Sequence, residues 1–553
     1  MTPELETKRL SRRARLLDRL AARVLKLPPP TNAVSRAQTQ VPTRDGQLLE
    51  TDVFVPIDVA AKATVLIRSP YGRGFPLDVS QARPLAARGY QVVVQSCRGR
   101  SGSTGTFDPM VNEAADGQDT IAWLRDQPWF TGRLATVGGS YLGFAQWALL
   151  TDPPEELLAC VIVVGPHDFA EAIHGSGSFA LADFFGWSEL MTAPEDEGPL
   201  RQGRRVATAR RRTAPAMTGL PLAAAGEALL DGKAPWYREW VEHEDLEDPY
   251  WSAYRLGTAL ESSRVPTLLV GGWQDAFLDQ TLEQYDALRR RDVPVGLTVG
   301  PWRHMDTVSK AAAEVTQQTL AWLDSRLGPP TSGPRDAAVR TYVTGAEEWR
   351  SADEWPPPVA DVELALAQGK LTEGKGDDGT SAFTFDPSDP TPAVGGRRLD
   401  PSGAGVKENR ELLRRPDVVT FTGEPLDRPW ELCGRPSLSL ALSVSNPHSD
   451  VFVRLCDVDP KGRARNVADA FLRLDPTVPA DELQHLSLDL DPCYHRVPAG
   501  HRLVLLVCGG AHPRYARNLG TGEPVATGTA LAPQPHTVHH AGTTLRLPLA
   551  KTD

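Results

Sequence analysis

The stretch Thr136–Phe144, TVGGSYLGF, crowds a serine with glycines: Gly138 and Gly139 stand before Ser140, Tyr141 follows it directly, and Gly143 comes three residues on. A hydroxyl is a poor nucleophile at neutral pH, so it needs a base to take its proton and donors to hold the resulting oxyanion. A sharp strand-to-helix turn meets part of that need. It presents Oγ on a strained elbow with small neighbours and aims the N–H of the next residue at the oxyanion. The surrounding text has this shape, with LATVGGS as a strand end and YLGFAQWALLTD as the apolar helix behind it. The usual elbow is G-x-S-x-G, however, and here Leu142 stands where the second outer glycine belongs. On these residues alone, a nucleophile and a small-residue turn with a solvated serine are equally good readings.

Working outward, short apolar runs closed by Pro, Gly and charge alternate with helical stretches: LETDVFVP, ATVLIRSPYGRG, YQVVVQSCRGR, then a helix EAADGQDTIAWLRDQPW starting near Asn112. This is the rhythm of an α/β domain with a largely parallel sheet. From about 167 to 255 it gives way to helical, aromatic text, FALADFFGWSEL and then the basic RQGRRVATARRRT, before strands resume at VPTLLVGGW and PVGLTVGPW. Such an insertion resembles a cap over an active site. Beyond the linker LGPPTSGP, alternating runs such as PSLSLALSVS, DVFVRLCDVD and RLVLLVCGG predict an all-β sandwich or jelly roll. The expected organisation is a basic helix and linker over 1–35, a catalytic domain over 36–166 and 256–330, a helical cap over 167–255 and a β-domain over 335–553.

Composition narrows the function. Lys and Arg (59) fall short of Asp and Glu (70), and the net charge of −11 gives no general attraction to nucleic acid. The six cysteines are scattered without a C-x-x-C pair or a histidine at metal-finger spacing, so they read as buried thiols of a cytoplasmic, reducing compartment. No run approaches a membrane span, which needs about 20 apolar residues. Near the N-terminus, eight basic residues from Lys8 to Lys26 interleave with Leu10, Leu16, Leu17, Leu20, Val24 and Leu27 at helical spacing. Two readings of this helix remain, one packed on the body of the protein and one lying loosely on anionic lipid.

What raises Ser140 above a turn is the order of two later residues. In α/β hydrolases the triad runs Ser, then Asp or Glu, then His, each on a loop after a strand. LLVGGWQDAF puts Asp275 just beyond a strand and LTVGPWRHMD does the same for His304. Taken singly, Asp275 reads equally as a cap of the helix LDQTLEQYDALRRR, and His304 as a structural histidine. Together they predict Ser140 as nucleophile, His304 as general base and then acid, and Asp275 as the group that holds the imidazole tautomer.

These residues lie in a chain that resembles the cocaine esterase-like hydrolases, a family that includes X-Pro dipeptidyl peptidases, α-amino-acid ester hydrolases and cephalosporin acylases. The resemblance runs from about 40 to 550 through RDGQLLETDVFVP, RSPYGRG, SCRGRSGSTGTFDP, EAADGQDTIAWLRDQPW, GGSYLG, GGWQDAF and GPWRHMD, with AGHRLVLLV and RYARNLGTGE in the last domain. The family's elbow is G-x-S-Y-x-G, which matches Gly138, Ser140, Tyr141 and Gly143. The resemblance implies an oxyanion hole made of the Tyr71 hydroxyl and the Tyr141 backbone N–H. It also implies acyl-pocket walls at Phe277 and Trp187, although an aromatic is more often core.

Other residues read as structural. Arg98 and Arg100 are expected to pair with carboxylates such as Asp116 or Asp119, and Glu195, Asp196 and Glu197 to form a solvated acidic loop. His536, His539 and His540 form no metal set and are expected at the surface. The expected protein is thus a serine hydrolase with an α/β-hydrolase fold, an inserted helical cap and a C-terminal jelly roll of galactose-binding-like type. It cleaves a small-molecule ester, or an amide, without metal or organic cofactor, and the assembly considered is a homodimer. The rival readings are an X-Pro dipeptidyl peptidase and a non-catalytic scaffold with a hydrolase fold.

Overall fold

The computed structural model describes residues 6–195, 199–328 and 338–551. Most of the linker LGPPTSGP, and Asp196 and Glu197 of the acidic run, lie outside them. The chain divides into two compact units: Met1–Phe169 with Trp251–Gly272 and Gln280–Val339, and Ala170–Tyr250 with Trp273–Asp279 and Arg340–Asp553.

The first unit is organised by strands β1 (Ala33–Pro42), β2 (Leu48–Ile57), β3 (Thr64–Ser69), β4 (Gln91–Ser96), β5 (Leu134–Gly139), β6 (Leu157–Val163), β7 (Thr267–Gln274) and β8 (Val295–Arg303). They lie in the order β1-β2-β4-β3-β5-β6-β7-β8. β1 and β2, and β2 and β4, pair antiparallel, while each pairing from β4 through β3, β5 and β6 to β7 is parallel. The sequence explains why: TVLIRS and QVVVQS bury every residue, as central parallel strands covered on both faces must. Each buried Val or Leu there contributes about 1.5–3 kcal/mol, which pins the sheet that carries the site. Because β3 and β5 run the same way, the loops that leave their C-terminal ends emerge at one edge. Ahead of the sheet, α1 (Arg12–Val24) is capped by Ser11, whose Oγ accepts the Ala14 N–H at 3.2 Å.

The second unit is an all-β domain with the helical stretch 170–250 folded into it. Strand Gln534–Ala550 is its spine, pairing antiparallel with Val359–Ala367, Thr380–Phe385 and Ser437–Val444. Leu366, Phe421, Leu440, Val453, Leu505 and Leu547 are fully buried in its core. The helical stretch, expected as an insertion of its own, is tied to this domain by main-chain bonds from Ala182 N–H to Pro513 O (2.9 Å) and from Ala223 N–H to Ala526 O (3.1 Å). Such contacts over some 300 residues leave no trace in local sequence periodicity.

Two of the three histidines expected at the surface are inside. His536 and His540 are each 1% exposed. The cause is the strand period of two: Gln534, His536, Val538 and His540 all face inward. His536 stacks on Phe383 at 4.6 Å, and His540 accepts the Ser381 hydroxyl at 2.9 Å through Nε2.

Candidate active site

Ser140 joins β5 to helix α2 (Tyr141–Leu149), and its backbone sits at φ +58°, ψ −125°. A non-glycine residue at positive φ costs roughly 1–3 kcal/mol and persists only where its surroundings hold it there. Here they do. The Ser140 N–H donates to Val163 O at 2.9 Å, and the first helical turn closes with Gly143 N–H on Ser140 O at 2.8 Å. Gln146 braces the turn from beneath, its Nε2 donating to the carbonyls of Gly138, Leu142 and Val161 at 3.1–3.2 Å.

The displaced glycine is explained by the same packing. A Cβ on Gly143 would lie 2.6 Å from the Cα of Gly165, so the helix meets the β6 loop at position 143 and not at 142. Leu142 instead lies over Gly138, where a side chain would run into its Cβ. The spacing of the glycines therefore follows the points where two backbones touch.

His304 follows β8 and opens a short 3₁₀ turn that is closed by Asp306, whose carboxylate accepts from both the backbone N–H and the guanidinium of Arg303. Burial raises the Asp306 carboxyl, but the Arg303 hydrogen bonds and charge outweigh it and hold it below the ordinary value. The turn fixes the imidazole so that Nε2 stands 2.9 Å from Ser140 Oγ, with His304 only 8% exposed. That is hydrogen-bond distance for proton transfer from the hydroxyl.

Asp275 comes directly after β7 and is fully buried. Its Oδ2 accepts the Phe277 N–H at 3.1 Å, the local turn bond of an aspartate ahead of a helix. β7 and β8 are neighbours in the sheet, and a Cβ on Gly272 would run into the carbonyl of Trp302.

Tyr71 follows β3, the parallel neighbour of β5, and is 46% exposed. Its loop is held by arginines: Arg100 Nε donates to Pro70 O at 3.2 Å, and Arg73 reaches Ser96 Oγ (2.7 Å) and Ser101 O (2.8 Å). Arg98, expected to meet a carboxylate, pairs with Asp116 at 2.6 Å and with Asp45. Arg100 lies with its guanidinium 5.4 Å from the Phe107 ring, and Asp119 is paired with Arg44.

The phenol of Tyr141 has a role that sequence reading missed. It is buried, donates to Glu113 Oε1 at 2.8 Å and accepts the Met110 N–H at 3.0 Å. Glu113 in turn holds Arg68 at 2.9 Å, both side chains being about 5% exposed. Burial, with the Glu113 carboxylate beside it, pushes the Tyr141 phenol well above its usual value and keeps it a neutral donor. This clasp locks the residue whose N–H leads the helix after Ser140. A carboxylate at the start of a helix ordinarily reads as a solvated N-terminal charge. Its one distinguishing mark is that Glu113 shares a face with Gly117, Thr120, Ile121 and Leu124.

In the second unit, Phe277 is 2% exposed, and Trp187 stacks on Trp240 at 5.7 Å within a cluster that includes Trp236. Among the described residues no helix is long and apolar enough to cross a membrane.

Residues 45–306 match the family model of X-Pro dipeptidyl-peptidase (S15 family), and residues 333–546 that of the X-Pro dipeptidyl-peptidase C-terminal non-catalytic domain. The chain is 28% identical over 540 residues to the cocaine esterase of Rhodococcus sp. (strain MB1 Bresler), covering 89% of this chain and 93% of that one. Among solved structures, an α-amino acid ester hydrolase superposes with a TM-score of 0.78 at 22% identity, over 95% of this chain and 98% of the other. An aminopeptidase of a marine-sediment Thaumarchaeota archaeon gives 0.77 at 22% identity over the same shares. At that identity the two structures speak for the fold.

Proposed function

The chain belongs to the X-Pro dipeptidyl-peptidase (S15) family of serine hydrolases and carries that family's C-terminal domain, and from this premise we propose that it hydrolyses carboxylic esters of small molecules through an acyl-enzyme. The observation that carries the reading is the strained Ser140 elbow with His304 Nε2 at 2.9 Å from its hydroxyl. Ser140 Oγ attacks the ester carbonyl as His304 takes its proton, and the proton then passes to the departing alkoxide. Water, activated by the same imidazole, releases the acid and restores the serine. Asp275 is assigned to hold the His304 Nδ1–H and stabilise the imidazolium, which its complete burial at the end of the neighbouring strand supports.

The oxyanion is assigned to the Tyr141 backbone N–H and the Tyr71 hydroxyl. The first rests on Tyr141 leading a helix whose N-terminal dipole favours negative charge, and the second on Tyr71 leaving the strand beside β5. Phe277 and Trp187 are assigned to walls of the acyl pocket. The proposed compartment is the cytoplasm, supported by six cysteines that are all free and buried.

The matched family model describes dipeptidyl peptidases, which favours a second reading as an aminopeptidase acting on an X-Pro amide. The test is steady-state hydrolysis of p-nitrophenyl esters of graded acyl length beside an Ala-Pro p-nitroanilide, with Ser140→Ala in parallel. Ester turnover that vanishes in the variant, with the anilide untouched, is the expected result; efficient anilide cleavage establishes the peptidase instead.

A further inference from the structure

The basic helix α1 is held against the first unit by one side only. Ala14, Asp18, Ala21, Ala22 and Leu25 face inward, and Asp18 pairs with the buried Arg83 at 2.9 Å. At the C-terminal end, Gln317 Nε2 donates to the carbonyls of Leu25 and Lys26 at 3.1 and 3.2 Å. These ties fix which face is turned to solvent. That face carries Leu16, Leu17, Leu20 and Val24, exposed by 59, 52, 50 and 74%. Scattered exposed leucines need no explanation, but four apolar side chains on adjoining helical turns form a stripe.

Charge identifies what fits the stripe. Arg12, Arg15, Arg19 and Arg23 run along one flank of it at helical spacing, and all are exposed. The helix's one acidic side chain, Asp18, is turned inward to Arg83. In a chain of net charge −11, this segment is strongly positive. A second copy of the chain would bring the same cations against these and repel them. An anionic surface with an apolar interior satisfies both halves of the face at once, the leucines entering the acyl boundary and the arginines staying at the headgroups.

We propose that α1 docks this hydrolase on anionic phospholipid, with Leu16, Leu20 and Val24 immersed in the leaflet and Arg12, Arg15, Arg19 and Arg23 on its headgroups. A single short helix of this kind gives reversible, salt-sensitive attachment.

The experiment uses the full chain with unilamellar vesicles of phosphatidylcholine, with and without one part in three of phosphatidylglycerol, read by co-sedimentation at low and physiological salt. Binding is expected to the anionic vesicles only and to weaken as salt rises. Arg15→Gln with Arg19→Gln and Arg23→Gln should lower partitioning by roughly a hundredfold, at about fivefold per charge. Leu16→Ser with Leu20→Ser should abolish it at unchanged charge. All these positions are exposed, so thermal midpoint and p-nitrophenyl ester turnover should stay at the wild-type level in both variants. A direct readout comes from Val24→Cys, because the six native thiols are buried and an environment-sensitive dye will attach at position 24 alone. A blue shift with anionic vesicles is expected. Absence of that shift, sedimentation indifferent to phosphatidylglycerol, or a dimer in light scattering that the leucine substitutions dissociate would each overturn the proposal, the last by giving the face to a second copy.

Discussion

Ser140 and Ser381 each stand 2.9 Å from the Nε2 of a histidine, one in each unit of the molecule. In the β-domain the array is complete to the eye, because His540 Nδ1 bonds Asp377, whose carboxyl is held below its ordinary value chiefly by that hydrogen bond. What differs is the backbone. Ser381 lies in regular extended strand opposite Val538, whereas Ser140 is held at positive φ at the head of a helix. In the extended backbone around Ser381, successive N–H groups point to opposite sides of the strand, so neighbouring donors do not converge on one spot. The elbow instead sets the next residue, Tyr141, at the head of a helix, whose dipole favours negative charge there. The Ser381–His540–Asp377 chain thus satisfies a buried histidine, and the function proposed for Ser140 rests on what that chain lacks, a strained backbone at the head of a helix.

The sharpest way to break this comparison is covalent labelling. An active-site fluorophosphonate should modify Ser140 and leave Ser381 untouched, and Ser140→Ala should lower ester turnover by about 10⁵- to 10⁶-fold. Peptide mapping that finds the probe on Ser381 would show that the strand array is reactive after all. Next in size, Tyr71→Phe should cost about 10²- to 10³-fold in kcat, the usual loss of one oxyanion donor. Near-native turnover would leave the elbow to act with a donor other than Tyr71.

Buried histidines outside the two arrays sharpen the contrast through pH. Burial lowers His167 and His174 from the ordinary 6.5 to about 4, and neither is more than 4% exposed. Below pH 6.5 the unfolded chain takes up protons that the folded chain refuses, so the stability these residues contribute is present at neutral pH. It falls as the pH drops toward 4, by up to about 3 kcal/mol for each. Urea unfolding at pH 7 and pH 4.5 should show the loss, and His174→Gln should flatten the slope. A slope that does not change would mean that His174 is protonated in the folded protein.

The clasp beneath the elbow separates a side chain from its own backbone. Tyr141→Phe keeps the N–H after Ser140 but strips the Met110 N–H and Glu113 of their partner, so it should destabilise the first unit by about 1–3 kcal/mol. Turnover at a permissive temperature should fall by less than about tenfold, because the backbone N–H after Ser140 is kept. A loss as large as that of Tyr71→Phe would place the phenol in the chemistry and not beneath it.

Much of this is legible in the amino-acid sequence, for reasons that the residues make plain. TVLIRS and QVVVQS are apolar through their middles because both faces of a central parallel strand are covered, and that signal survives in a single sequence. The order of Ser140, Asp275 and His304 is legible because each follows such a strand. The Glu113–Tyr141–Arg68 clasp is not, since a buried carboxylate and a solvated one are the same letter. The place of His540 is misread although HTVHH carries the answer: in a strand of period two, the histidines at 536 and 540 share the inward face of Val538. The partner of the helical stretch 170–250 is illegible for a different reason, because bonds such as Ala182 N–H to Pro513 O join residues more than 300 apart.

The smallest expected effect on turnover tests the comparison from its quiet side. Ser381→Ala removes the donor to His540 Nε2 in a fully buried imidazole, and a buried acceptor left without its partner costs on the order of 1 kcal/mol. Ester turnover should not move, because Ser381 lies in plain extended strand and not at a strained elbow. Denaturant unfolding and steady-state kinetics on the same preparation separate the two readouts. A thermal or urea midpoint that drops while kcat/KM holds is what a packing hydrogen bond predicts. The reverse pattern, unchanged stability with slower turnover, would mean that a serine in plain extended backbone can act as a nucleophile, and that the strain at Ser140 is not what chemistry requires.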